Sequence, residues 1–393
     1  MAKGKGGFIG QDGINAPDPA TGVSASAGNT QATVSFTSPS DEGGAGVTGY
    51  RVTDSTGAFG ASGSSSPITV TGLTNGTSYT FNVWAINPFG WSTASDASGG
   101  VSPINARALF AGGEAASRSN VIDYVSISST GNATDFGDLT VERYDLAGAA
   151  SSTRAVFAGG DSGSALSTDD RIDYVTILSG GNAVNFGNLT IGRTSPAGVS
   201  SDTRAVWLTG QLGRNVLDYV TIASTGNATD FGDSAVTMYY HSACASPTRG
   251  VYGGGNNTNT LNYITIATTG NSLDFGDLTY SNDFRLGSCS NQTRGLFAGG
   301  TNSGGSYLNT INYITIASTG NATYFGGLSN YRSGLDGASS STRGIFGGGD
   351  TGSKSNRIDY VAISSTGSAS DFGDLTVARQ GVAGTSNAHG GLS

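Results

Sequence analysis

The chain has 393 residues and a net charge of −9, and it shows no basic stripe of the kind a general nucleic-acid binder needs. Only 12% of the residues are charged and 64 are glycine, without the three-residue period of collagen. No apolar run reaches the ~20 residues of a membrane-spanning helix, so membrane insertion is not expected.

Residues 1–16 are glycine-rich and lack periodicity, with Phe8 and Ile9 as candidate apolar anchors among the glycines. The start is basic (Lys3, Lys5) but has no apolar core of a secretory signal, so synthesis in a cytosol is expected. Short strands with turn-rich spacers follow. Gln31-Ala32-Thr33-Val34-Ser35-Phe36 alternates polar and apolar residues, and Val47 to Val52 and Ser78 to Ala85 read as further strands. Leu73-Thr74-Asn75-Gly76-Thr77-Ser78-Tyr79, with Phe36, Tyr50 and Asn87-Pro88-Phe89-Gly90, resembles a fibronectin type III domain over residues 17–102. The resemblance implies a β-sandwich whose Tyr79 hydrogen-bonds back across a turn, the tyrosine corner of such domains.

From Arg107 a unit of about 47 residues recurs six times. Arg107-Ala108-Leu109-Phe110-Ala111-Gly112-Gly113 returns at Arg154, Arg204, Arg249, Arg294 and Arg343. Each copy carries four strand signals and no helical period, which predicts one twisted four-stranded sheet per copy. The double glycine, the tyrosines (Tyr124, Tyr174, Tyr219, Tyr263, Tyr313, Tyr360) and the later aromatics (Phe136, Phe186, Phe231, Phe275, Phe325, Phe372) resemble the kelch family. Two departures mark the likeness as divergent: phenylalanine stands where kelch has tryptophan, and the third copy ends Leu208-Thr209-Gly210.

The resemblance implies an all-β chain: a flexible segment 1–16, a fibronectin type III-like sandwich 17–104 and a six-bladed kelch-like β-propeller 105–393. It also implies a phase. The first copy begins at its second strand, and the chain ends in an unpaired small-residue strand, Gly381 to Ala388, expected to complete the first blade and close the ring.

No chemistry-bearing cluster stands out. The repeated Asp-Phe-Gly-Asp word could present paired carboxylates to calcium, or echo the Asp-box of sialidases. Its second and fifth copies read Asn185-Phe186-Gly187-Asn188 and Tyr324-Phe325-Gly326-Gly327, which suits a turn better than a ligand set. The Thr-Arg pairs recur in most copies and read as fasteners between blades. His241 and His389, the only histidines, lie in different copies with no acidic or cysteine cluster beside them, so no metal and no cofactor are expected. Cys244 and Cys289 hold equivalent positions in neighbouring copies and are expected to be buried free thiols. Asn132, Asn227 and Asn321 head Asn-Ala-Thr sequons but read as turn residues.

Binding is expected where the copies disagree. One variable loop set follows the glycines (161–170, 211–215, 256–260, 301–310) and the other precedes the small-residue strand. The second supplies the candidate ligand-binding residues Arg143, Tyr144, Tyr239, Tyr240, Tyr280, Asn282, Tyr331 and Arg332. Low charge, abundant Gly, Ser, Thr and Asn, and a fibronectin-like module joined to a repeat domain are similar to structural proteins of tailed bacteriophages. That likeness implies a virion protein, not an enzyme, that docks through residues 1–16 (Phe8, Ile9) and the sandwich onto other virion proteins and contacts a host-surface glycan or protein. Two alternatives stay open, a capsid or tail decoration protein without receptor function and a virion-associated glycan hydrolase or lyase. So does homo-oligomerisation on the particle.

Overall fold

A computed structural model describes residues 15–393 except 29, 164–167, 213, 283–284 and 393, and gives residue 282 by its backbone alone. All regular elements among these residues are strands. The chain forms two compact units that meet in sequence between Asn105 and Ala106.

The first unit is a sandwich. One sheet joins Thr21–Gly28, Gln31–Thr37 and Ile68–Thr71; the other joins Gly60–Gly63, Gly49–Asp54, Phe81–Asn87 and Gly90–Trp91. The two-residue alternation decides what is inside: Ala32, Val34 and Phe36 from one sheet meet Phe81, Val83 and Ala85 from the other. Phe36 packs on Tyr50 with ring centroids 4.7 Å apart. The Thr74 N–H donates to Tyr79 Oη at 3.1 Å, which is the expected corner.

After Trp91 the chain changes period. Ser92, Ser95 and Ser98 accept, through Oγ, from the N–H groups of Ala85, Val83 and Phe81 at 2.9–3.0 Å. Their own N–H groups donate to the carbonyls of the same three residues. A three-residue repeat is thus matched to a two-residue strand, and the intervening residues are pushed outward. The sheet edge offers no continuous ladder to another chain.

The second unit contains six four-stranded antiparallel sheets. The first sheet is Ala383–Ser386, Arg107–Ala111, Val121–Ser126 and Thr134–Asp138, so the C-terminal strand supplies its first strand. The others run in chain order: Ala147–Ala150 to Val184–Arg193, Ala197–Ser200 to Thr229–Asp233, Ser242–Ala245 to Leu273–Asn282, Gly287–Ser290 to Thr323–Gly327, and Ser333–Ser339 to Ser370–Asp374.

The repeated arginines link each sheet to the next. Arg107, Arg154, Arg204, Arg249, Arg294 and Arg343 donate to the carbonyls of Ile177, Ile222, Ile266, Ile316, Ile363 and Ile127 at 2.8–3.0 Å. The sixth bond returns to the first sheet, so the set is a cycle. Each guanidinium also lies 4.2–4.7 Å over the tyrosine of its own sheet.

The Asp-Phe-Gly-Asp word makes a second cycle. Its phenylalanines are buried, and its glycine lets the neighbouring turn approach: a Cβ on Gly373, at φ +148°, would stand 2.4 Å from the Gly131 carbonyl oxygen. The first strands neighbour one another in order, and Ala383–Ser386 neighbours both Ser333–Ser339 and Ala147–Ala150. Because every sheet is antiparallel, both variable loop sets leave the strands at one end and the Ser-Thr-Gly-Asn turns at the other. Cys244 and Cys289 are buried and unpaired.

Candidate functional site

The six first strands surround a cavity of about 110 Å³. Their entry points are six equivalent positions, Asp145, Ser195, Tyr240, Arg285, Gly334 and Gly381, and all six are left-handed, with φ between +46° and +68°. Glycine accepts that conformation freely, whereas Asp, Ser, Tyr and Arg must be held in it. A belt of backbone bonds holds them. The N–H of Ser195 donates to Asp145 O, Asp145 to Gly381 O, Gly381 to Gly334 O, Gly334 to Arg285 O and Arg285 to Tyr240 O, at 2.7–2.9 Å.

The four side chains on this belt all differ, and they converge. Arg285, from the fifth sheet, pairs with Asp145, from the second, at 2.6 Å. Its guanidinium lies 4.7 Å over the Tyr240 ring and 5.7 Å from the Tyr144 ring centroid. Tyr239 packs edge-on against Tyr240 at 5.2 Å, and Gln211 Nε2 donates to Tyr240 Oη at 2.6 Å. Ser195 Oγ reaches Asp145 at 3.3 Å. Burial pushes the Asp145 carboxyl up to about 6, although Arg285 and Ser195 favour its ionised form. Burial and the Asp161 carboxylate push the Tyr144 phenol up to about 12.

The far end of the cavity is covered by the C-terminal residues. His389 Nε2 lies 2.9 Å from Ala150 O and 3.2 Å from Ser200 Oγ, and Gly390 N–H donates to Ser290 O.

Of the residues expected to bind, the structure brings Tyr144 and Tyr240 together around Arg285, with Tyr239 packed on Tyr240. Arg143 and Arg332 are corrected: both are fully buried, paired with Asp173 and Asp359 and bonded to the carbonyls of Phe157 and Phe346. They hold the fold and present nothing to solvent. Tyr331 is 61% exposed and joins no cluster at the mouth. Tyr280 is half-buried, with Oη 3.5 Å from Thr310 O. Asn282 ends a strand by its backbone, and its side chain lies outside the described residues, as do Phe8 and Ile9.

Sequence reasoning missed Asp145, Ser195 and Arg285. The signal was available, since these residues align with Gly334 and Gly381, and a glycine that recurs at one repeat position marks a special backbone conformation. The third copy carries a compensated exception. Thr209 replaces a glycine at φ +46° and sets its hydroxyl 3.0 Å from Nε2 of His241, whose burial pushes its pKa down to about 3.

Among the described residues no three His, Cys, Asp or Glu side chains stand where they could share a metal ion. The mouth offers aromatic faces, an amide and one tethered cation, a set suited to binding. Residues 17–100 match the family model of the fibronectin type III domain. Comparison with curated proteins gave no match.

Proposed function

We propose that the six sheets are the blades of a closed, kelch-like β-propeller, and that the chain is a structural protein of a tailed bacteriophage displaying this propeller for attachment to the host surface. The cycle of six arginine bonds supports the closed ring, because the last of them joins Arg343 of the sixth sheet to Ile127 beside the first. The convergence of Tyr144, Tyr239, Tyr240 and Arg285 at the end carrying the variable loops supports a recognition face. Words repeated in every copy serve the scaffold, and the mouth is where the copies differ most. The fibronectin-like sandwich and residues 1–16 join the protein to other virion components.

Particles carrying Tyr239→Ala with Tyr240→Ala test this reading. Lost adsorption by intact particles is expected. Unchanged adsorption contradicts it and favours a decoration protein, and release of reducing sugars from host polysaccharide favours a glycan hydrolase.

A further inference from the structure

The rim around the mouth is uneven in charge. Over the fifth, sixth, first and second sheets, charged and phenolic groups tie the loops together. Tyr307 bonds Asp350 at 3.1 Å, Lys354 bridges Asp350 and Glu114 at 3.4 and 3.2 Å, and Arg118 pairs with Asp161 at 3.0 Å. Over the third and fourth sheets, segments 209–212, 234–241 and 254–259 contain no Asp, Glu, Lys or Arg. The loops are also cut short there, from Gly210 to Arg214 and from Gly253 to Thr258, against Ala111 to Val121, Ala158 to Asp169 and Ala298 to Thr310 elsewhere.

These segments form one surface. Gly210 N–H donates to Met238 O at 3.1 Å, Gln211 reaches Tyr240, and a Cβ on Gly255 would stand 2.4 Å from Tyr239 O. Strain gathers on it. Of the nine non-glycine residues described with positive φ, five lie here: Thr209, Leu212, Tyr240, Asn256 and Asn257. Leu212 is the telling case, because at φ +68° it is 67% exposed and so gains little burial in return. A branched side chain held in a costly conformation and turned to solvent is explained by contact with something else.

The geometry points to this uncharged sector as the binding site for an uncharged carbohydrate chain. The inference rests on the attachment reading above and names its ligand. Half-buried Tyr239 offers a ring for the C–H face of a pyranose, and Gln211, Asn256 and Asn257 offer amides that donate to and accept from neighbouring hydroxyls. These segments carry no charged side chain of their own to select an acidic sugar; Arg285, over the Tyr240 ring, is tied to Asp145, and Arg214 at the end of the short loop is half-buried. A protein partner fits less well, since a stable interface covers about 800 Å² per side around an apolar centre. Here the exposed large apolar side chains are Leu212 and Val236 alone.

The labelled full chain, applied to a carbohydrate array carrying uncharged and anionic polysaccharides and to host cells, tests the inference. Binding to uncharged glycans is expected, at least tenfold weaker in Tyr239→Ala and in L212G and unchanged in Tyr331→Ala. The Leu212→Gly chain is expected to melt no lower than the parent, because glycine accepts that φ, so weaker binding with undiminished stability separates ligand contact from a folding role. Binding confined to anionic glycans, or binding untouched by the two substitutions, overturns the inference. A chain that adheres to host cells but to no uncharged glycan overturns it and leaves the attachment reading standing; adherence to neither overturns both.

Discussion

Arg143 and Asp173 meet 2.7 Å apart with neither side chain exposed. The pair recurs at equivalent positions as Arg193 with Asp218, Arg332 with Asp359 and Arg379 with Asp123, all fully buried. In the fourth sheet both partners change together: Met238 takes the arginine position and Asn262 the aspartate position, and both are buried. The fifth sheet has Asn312 at the aspartate position and Asp283 at the arginine position, the latter outside the described residues. In the fourth sheet charge is thus removed from both sides of the contact at once, as expected where an unpaired buried ion is expensive.

Removing one partner should therefore be severe. Asp173→Ala is expected to cost about 3–5 kcal/mol in urea denaturation by removing the carboxylate bonded to the buried Arg143, which keeps only the longer contact to Asp169 at 3.8 Å. The double change Arg143→Met with Asp173→Asn, which copies the fourth sheet, is expected to recover most of that loss. A double variant no more stable than Asp173→Ala contradicts the pairing argument.

Two glycines that touch should respond oppositely to the same substitution. A Cβ on Gly326 would stand 2.1 Å from the Gly367 carbonyl oxygen, whereas a Cβ on Gly367 meets nothing within 4 Å. Gly326→Ala is expected to destabilise by about 1–3 kcal/mol through forced overpacking. Gly367→Ala is expected to stay within about 0.5 kcal/mol of the parent. Equal effects in thermal melting would remove the steric explanation of the Asp-Phe-Gly-Asp word.

Both pairs bear on what the sequence makes legible. The repeat and its phase can be read because Arg107 to Gly113 recurs as a contiguous word, and contiguity survives inspection of one chain. The tyrosine corner is legible for the same reason, with Thr74 and Tyr79 five residues apart. Arg143 was misassigned because its partner lies thirty residues on, and because a strand-entry segment alternates inward and outward. Tyr144 is half-exposed while its neighbour is buried. The mouth was only partly legible, since Asp145 and Arg285 come from the second and fifth sheets and meet only once the sheets are arranged.

Asp336 should give stability a pH slope. Its carboxylate accepts from the Gly337 and Gly384 N–H groups at 2.8 Å, yet burial pushes it up to about 7. A carboxyl with a folded pKa above its unfolded value near ~3.9 binds more protons when folded. Stability is then fullest below pH ~4, falls as pH rises toward ~7 and levels off, by an amount on the order of a few kcal/mol. Denaturation at pH 4.5–8 (roughly the range that spans this change) should show the slope in the parent and a flatter profile in Asp336→Asn. Parallel profiles contradict the assignment.

The serine-spaced edge of the sandwich predicts a period of three in mutational cost. Ser95→Ala leaves the buried Val83 N–H without its acceptor and is expected to cost about 1–3 kcal/mol. Thr93→Ala, at an exposed intervening position, is expected to change stability by less than about 0.5 kcal/mol. Chemical denaturation of the two variants separates them.

Closure of the ring by the C-terminal strand is tested most directly by melting a chain that lacks residues 378–393. That deletion removes Arg379, which is paired with Asp123, and the strand paired with Arg107–Ala111. Closure predicts that the seam opens and all six sheets lose their cooperative transition, giving an insoluble or open protein. A well-folded monomer with an unchanged melting temperature would contradict it.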